Sequence, residues 1–319
     1  MYPHATAIGA DLGRFAVRTA IVRYDGVIMQ RHTFPVEQLL TRKNIISALQ
    51  AALRRTREAA TAKGINPLAA GISVPGYIDH DNGIVLGPDH GIRGWKNVPL
   101  ASMMSSALGI PAYAGNDANL MTVAEHRYGR ARGYRHVVFI ALRTGIGGGI
   151  IIDGRLYRGV NNSGGEVGMM IIDADAAGEE KPGKGTLEEY ASGEALVRSY
   201  LAAGGADNSS TGRVRAKDIF EMSRAGNIIA RQVVSANARY IGIGLANISS
   251  IFAPEIIVLG GGMALAGKEY IDLIRKNTAL HCLPWSSKGM KIETALLGDD
   301  AAVAGAACYA LERLDGRSI

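Results

Sequence analysis

The chain holds only two cysteines, Cys282 and Cys308, among 319 residues. They match no metal-binding or redox spacing, so both are expected as reduced thiols in a cytoplasmic protein. No apolar run reaches the roughly 20 residues that span a bilayer, so no membrane partner is expected. The N-terminus, Met1-Tyr2-Pro3-His4, lacks the charged start and apolar core of a secretion signal. A basic arm is missing too, despite a net charge of +6. The densest basic group, Arg127, Arg130, Arg132 and Arg135, is interleaved with glycine and tyrosine and reads as a solvated connector. An anionic substrate such as ATP accounts for the charge better than nucleic acid.

What the chain does have is ordinary globular composition, 47% hydrophobic and 20% charged, and length enough for two domains. Its most informative feature is a pair of glycine-rich turns about 130 residues apart. The first is Asp11-Leu12-Gly13-Arg14 and the second Arg143-Thr144-Gly145-Ile146-Gly147-Gly148-Gly149. In each, a strand enters the turn, a second strand returns, and an Asp-Gly hairpin follows at Asp25-Gly26 or Asp153-Gly154. Such a repeat suggests two similar halves facing each other. Glycine turns expose backbone N–H groups that cradle phosphate, which suits a nucleotide-dependent phosphotransferase.

Strands alternate with helices, as in an α/β protein. Residues 6–33 read as three strands, Asn44 begins a helix ending near Gly64, and Ala69–Val74 is a strand running into Pro75-Gly76-Tyr77. Residues 78–98 look irregular, with a hairpin at Asn82-Gly83. A helix at 99–108, a strand at 111–114 and a helix from Asn116 to about His126 follow. The second half has strands from His136 to Arg158, an exposed loop at 173–186, three helical stretches, a buried strand at 255–259 and an alanine-rich last helix at 301–313. The first domain is expected over 1–117, completed by 301–319, and the larger second domain over 118–300.

Asp11-Leu-Gly13, Pro75-Gly76, Asn116-Asp117-Ala118-Asn119, Thr144 through Gly149, Gly165-Glu166-Val-Gly168, Leu187-Glu188 through Gly193 and Pro254 through Gly262 occur in the order found in ROK proteins (repressors, open reading frames, kinases). The resemblance covers essentially the whole chain. It implies a two-domain actin-like (ribonuclease-H-like) fold with ATP and a sugar in an interdomain cleft, and an enzyme phosphorylating a hexose or amino sugar at its primary 6-hydroxyl. Relatives are often homodimers. The resemblance makes Asp117 the base that takes the hydroxyl proton. Gly76, Tyr77, Asn116, Glu166, Met169 and Glu188 become acceptor contacts, and Asp11 a magnesium ligand, directly or through water. Gly13, Thr144, Gly145, Gly147 and Gly148 would approach the phosphates, and Gly260, Gly261 and Gly262 the adenosine. Without that context, Asn116-Asp117 reads as a helix cap.

The chain also departs from the family pattern. The zinc-site histidine of Gly-Glu-x-Gly-His is Met169, and the three cysteine positions fall near Glu179, Lys181 and Thr186, so no zinc is expected. In the first turn Arg14 replaces a glycine, and in the second Arg143 does. Arginine suits phosphate, and the two are expected to compensate. Asp89 stands where relatives carry Asn or Thr; it favours an amino sugar or pairs with Arg93. A catalytically inactive sugar-binding sensor remains the alternative. A repressor is disfavoured, because the family's repressors carry a helix-turn-helix ahead of the first strand and here that strand is expected to begin near residue 6.

Overall fold

The computed structural model describes residues 4–13, 16–36, 41–87, 92–177, 183–206 and 214–316. Arg14 and Asp89 lie outside the described residues. The chain divides into two compact units: Met1–Gly133, Ile150–Gly164 and Leu296–Ile319 form the first, Tyr134–Gly149 and Gly165–Ala295 the second.

In the first unit, β1 (Thr6–Leu12), β2 (Ala16–Arg23) and β3 (Ile28–Pro35) form an antiparallel meander. Gly26, at φ +88°, adopts the left-handed backbone that its hairpin requires. Helix α1 (Arg42–Thr61) follows, with Thr41 as N-cap accepting from the Asn44 amide and Ile45, Leu49, Leu53 and Thr56 buried along one face. The strand β4 (Ala69–Val74), the hairpin β5 (Tyr77–Asp79) and β6 (Ile84–Gly87), α2 (Leu100–Leu108), β7 (Ala112–Asn116) and α3 (Asp117–Arg127) come next. The five-stranded sheet has the order β3-β2-β1-β4-β7, with β4 parallel to both β1 and β7.

Helix α9 (Ala301–Leu314) closes this unit against the sheet. A Cβ on Gly9 would come 1.9 Å from the Val303 carbonyl oxygen, and one on Gly71 1.8 Å from that of Ala306. Only glycine in β1 and β4 lets the helix approach so closely. Along its other side, a Cβ on Gly305 would meet the Leu120 carbonyl at 1.8 Å, so α3 packs on α9. This packing carries the first unit past the expected boundary at residue 117.

The strands β8 (Val137–Leu142), β9 (Ile146–Ile152), β10 (Arg155–Tyr157), β11 (Ile256–Gly260) and β12 (Lys291–Thr294) make a sheet of order β10-β9-β8-β11-β12, matching the first. Its helices are α4 (Leu187–Ala191), α5 (Gly193–Ala202), α6 (Ala216–Arg224), α7 (Ile228–Phe252) and α8 (Lys268–His281). Asn237 of α7 donates to the Ala191 carbonyl at 3.0 Å and accepts from the Tyr270 hydroxyl at 2.5 Å, tying α4, α7 and α8 together. The structure thus has helix α8 and strand β12 beyond the sequence reading, and four helices, α4 to α7, where three helical stretches are expected. Among the described residues, no helix is long and apolar enough to cross a membrane.

Candidate active site

In the first unit, β1, β4 and β7 run parallel and end at one edge, at Leu12, Val74 and Asn116, where open α/β sheets bind ligands. Register places Asp11 beside Ser73, and Val74 beside Asn116. Asn116 caps α3, its side-chain oxygen accepting from the Asn119 amide at 3.1 Å while its Nδ2 donates to the Gly76 carbonyl at 3.1 Å. Gly76 sits at φ +98°, a conformation that favours glycine, so the turn after β4 is held by the residue before the expected base. Asp117 opens the helix and accepts the Ala118 amide on Oδ1 at 2.9 Å, at the positive end of α3. The capping role of Asn116 and the proximity of Gly76, Asn116 and Asp117 therefore coexist. Tyr77 begins β5, pairing with Gly87.

Asp11 is 2% exposed, and its carboxylate is already engaged. Arg18 lies directly opposite in β2 and donates from Nη2 to Oδ2 at 2.7 Å, while the Ser73 hydroxyl donates to Oδ1 at 3.1 Å. Burial opposes the Arg18 charge, but the Asp11 carboxylate more than offsets this and holds the guanidinium above its ordinary pKa. A divalent cation bound directly by Asp11 would have to displace this guanidinium, so the donor set does not fit inner-shell metal ligation. No group of three or more His, Cys, Asp or Glu side chains able to hold a metal occurs among the described residues. Gly13 closes the first turn, its amide donating to the Ala16 carbonyl at 3.0 Å. Counting outward from that closure gives the Asp11–Arg18 pair, so the register of the hairpin brings in Arg18, a residue that no sequence motif marks.

The second unit gathers several expected residues around the Ile146 peptide. Its amide donates to Glu188 Oε2 at 2.7 Å, and a Cβ on Gly145 would lie 2.5 Å from that same oxygen. On its other side, a Cβ on Gly168 would meet the Ile146 carbonyl at 2.1 Å, which packs the short 3-10 turn Val167–Met169 against the glycine turn. Glu166 precedes this turn and is exposed, and Met169 within it is 45% exposed. The Arg143 amide donates to the Gly145 carbonyl at 2.9 Å, and the carbonyls of Arg143 and Thr144 accept from the Gly193 and Glu194 amides at the start of α5. Gly261, at φ +87°, lies under the same segment: a Cβ there would come 2.4 Å from the Leu142 carbonyl and 2.8 Å from Arg143 Cγ. Next to it, Gly262 faces open space. Gly147 lies in β9, one residue past Ile146.

Of the expected loop at 173–186, the described residues, 173–177 and 183–186, are fastened to α4 and to themselves. Asp173 accepts the Tyr190 hydroxyl at 2.6 Å and the Asp175 and Ala176 amides, and Thr186 caps α4. Glu189 accepts from Lys184 and from the Gly185 amide, so the adjacent glutamates of α4 are committed to different partners. Glu179 and Lys181 lie outside the described residues.

With this geometry in hand, comparison with known proteins is direct. The ROK family profile matches residues 7–313. A glucokinase of Halalkalibacterium halodurans is 30% identical over 315 residues, covering 93% of this chain and 92% of that protein. A putative xylose repressor of Caldicellulosiruptor is also 30% identical, over 95% of this chain and 77% of its own length. The crystal structure of a ROK family glucokinase from Streptomyces griseus, in complex with glucose and AMPPNP, superposes with a TM-score of 0.80 at 30% identity, covering 97% of this chain and 100% of that one. The fold is the actin-like ATPase fold of these kinases. Matching motifs, paired sheets of one topology and a family profile over nearly the whole length agree: the chain belongs to the ROK family.

Proposed function

We propose that the chain is an ATP-dependent sugar kinase, transferring the terminal phosphoryl group to a hydroxyl of a hexose or amino sugar, the primary 6-hydroxyl. One observation carries this reading. Asp117 stands at the junction of β7 and α3, beside an Asn116 whose amide is fixed both to the helix and to the Gly76 turn. A sugar hydroxyl attacking phosphorus must lose its proton as the new O–P bond forms, and Asp117 is the carboxylate offered for it. Asn116, with Gly76 and Tyr77, orients the acceptor, and Glu166, Met169 and Glu188 are its further contacts. Thr144, Gly145 and Gly147 offer hydroxyl and backbone N–H groups to the phosphates, with Arg14 and Arg143 adding charge, and Gly261 and Gly262 border the adenosine. ATP brings its own magnesium through its phosphate oxygens, with Asp11 outside the inner shell.

The relatives support the reading through glucokinases and through the S. griseus enzyme solved with glucose and an ATP analogue. The pairing of Asp11 with Arg18 favours one second reading, a sugar-binding sensor without turnover. Coupled ADP release, measured with Mg-ATP against hexoses, amino sugars and N-acetyl sugars, separates the two. Sugar-dependent release that falls by roughly 10³-fold in Asp117→Asn, with an unchanged melting temperature, establishes the kinase. Silence across the panel, with sugar binding retained in calorimetry, establishes the sensor.

A further inference from the structure

We infer that Arg18 is a phosphate-binding cation of the first glycine turn, aimed by Asp11, so that this turn offers the phosphates a guanidinium and not a metal ligand. The inference rests on the kinase reading and deepens it by naming the group that meets the nucleotide phosphates there. The way the guanidinium is held carries it. Nε and Nη2 both donate to Asp11 Oδ2, at 3.3 and 2.7 Å, so one edge of the group is spent on the buried carboxylate. The Ser73 hydroxyl donates to Oδ1, which engages both Asp11 oxygens. The other edge turns outward, with Nη1 lying 3.6 Å from Asp299, a carboxylate that is 96% exposed. That separation is longer than an ordinary hydrogen bond, so Asp299 holds the outer edge only loosely.

The Asp11–Arg18 pair is neutral as a whole but polar in direction, carboxylate inward and guanidinium outward. Once Nε and one N–H of Nη2 serve Asp11, the N–H groups of Nη1 and the second of Nη2 form a fork that matches the oxygens of a phosphate. An ion pair made only to bury Asp11 would be served as well by lysine, whose ammonium has no second edge to offer. The position suits the role too. Register sets Arg18 opposite Asp11, one residue before the end of β1, at the ligand-binding edge of the sheet. A Cβ on Gly9, two residues earlier, would meet the Val303 carbonyl, so Asp11 and Arg18 share the face that α9 covers. Asp299 and Asp300 stand just before that helix. Asp300 is held by Arg31 through Nε and Nη2 at 3.0 and 2.8 Å, which leaves Asp299 as the aspartate beside Arg18. A phosphate oxygen then competes with Asp299 for Nη1.

The test is calorimetric titration of the full chain with AMPPNP in EDTA, so that no divalent cation shares the contact, with urea denaturation of each protein alongside. Arg18→Lys keeps a charge beside Asp11 and loses the outer fork, and should bind the analogue roughly tenfold more weakly than the unaltered protein while staying folded. Asp299→Asn removes the competing carboxylate at an exposed position, and should bind roughly threefold tighter with an unchanged urea midpoint. Unchanged affinity in either variant overturns the inference and leaves the nucleotide site standing. Binding by the unaltered protein that appears only when magnesium is added does the same, because the metal then supplies the charge. Binding under neither condition overturns the nucleotide reading and this inference with it. Should Arg18→Lys fail to fold, Asp299→Asn decides alone: tighter binding upholds the inference, and equal or weaker binding overturns it.

Discussion

The two glycine turns are built from the same supersecondary unit, in sheets of the same strand order, yet each deals with its nearby carboxylate in the opposite way. At the first turn the carboxylate belongs to the strand itself: Asp11 is buried, opposite Arg18 and beside Ser73, and the pair is neutral. At the second turn the carboxylate arrives from α4, 42 residues along the chain, and accepts from a backbone amide. A repeated topology therefore fixes where a turn sits without fixing its charge. The first turn is neutralised within its own hairpin, while the second takes its carboxylate from a helix distant in sequence.

The contrast extends to the units themselves: among the described residues, the buried aspartate, glutamate and histidine side chains, Asp11, His80, Glu125 and Glu312, all belong to the first. His80, 5% exposed, shows the largest consequence. The Tyr309 hydroxyl donates to the His80 carbonyl at 3.2 Å, so at its 3.3 Å contact with Nδ1 the ring must donate, leaving Nε2 buried without a partner among the described residues. Burial, then the charges of Arg158 and Arg313, push the imidazole down to about 3 from its ordinary 6.5. A folded-state value below the unfolded one means that the unfolded chain takes up the proton first. The contribution is complete above pH 6.5 and is lost as pH falls toward 3, amounting to about 3 kcal/mol by pH 4. Each unit holds one tryptophan, Trp95 fully buried in the first and Trp285 84% exposed in the second. Urea unfolding followed by Trp95 fluorescence in a Trp285→Phe background should show this acid sensitivity, and His80→Gln should flatten it. An identical pH slope in the glutamine variant would refute the assignment.

Breaking the first turn's ion pair comes next in size. Arg18→Ala leaves Asp11 buried with only Ser73 as a partner; with Arg18 itself 31% exposed, the expected loss is about 2 kcal/mol rather than the full cost of orphaning a buried charge. Adding Asp11→Asn should recover about half of it, as measured by urea denaturation, because the stranded charge is then gone. Ser73→Ala removes one hydrogen bond and should cost about 1 kcal/mol. If Arg18→Ala costs nothing, the claim that the first turn depends on internal neutralisation fails.

Much of this frame is legible in the chain because local chemistry dictates it. Asp-Gly hairpins need left-handed backbone, and Gly26, Asp153 and Gly154 adopt φ of +88°, +52° and +77°. Asn116 signals a helix start, and the structure uses it so, whereas the base role of Asp117 comes from the family motif and not from the cap. The Asp11–Arg18 contact depends on the register of a hairpin, and the Glu188–Ile146 contact on chain distant in sequence, so neither is visible in a motif. Helix α8 escaped because its buried positions, Tyr270, Ile271, Ile274 and Thr278, are few and interleaved with charged residues. Only Ser192, N-cap of α5, separates it from α4, a break of one residue that periodicity does not mark.

The smallest expected effect discriminates most finely between a turn made for structure and one made for a ligand. Gly261 and Gly262 are adjacent, but only Gly261 has a left-handed backbone and a Cβ position blocked by the Leu142 carbonyl. Gly261→Ala should therefore destabilise the protein by about 2 kcal/mol. Gly262→Ala meets nothing within 4 Å, and should change stability by no more than about 0.5 kcal/mol. Nothing in the folded chain then requires glycine at position 262. If the segment borders the adenosine, the added methyl group should weaken AMPPNP binding several-fold while urea denaturation stays unchanged. A Gly262→Ala protein with normal stability and normal nucleotide affinity would remove this glycine from the binding site and leave the turn after β11 as a structural stop for the strand.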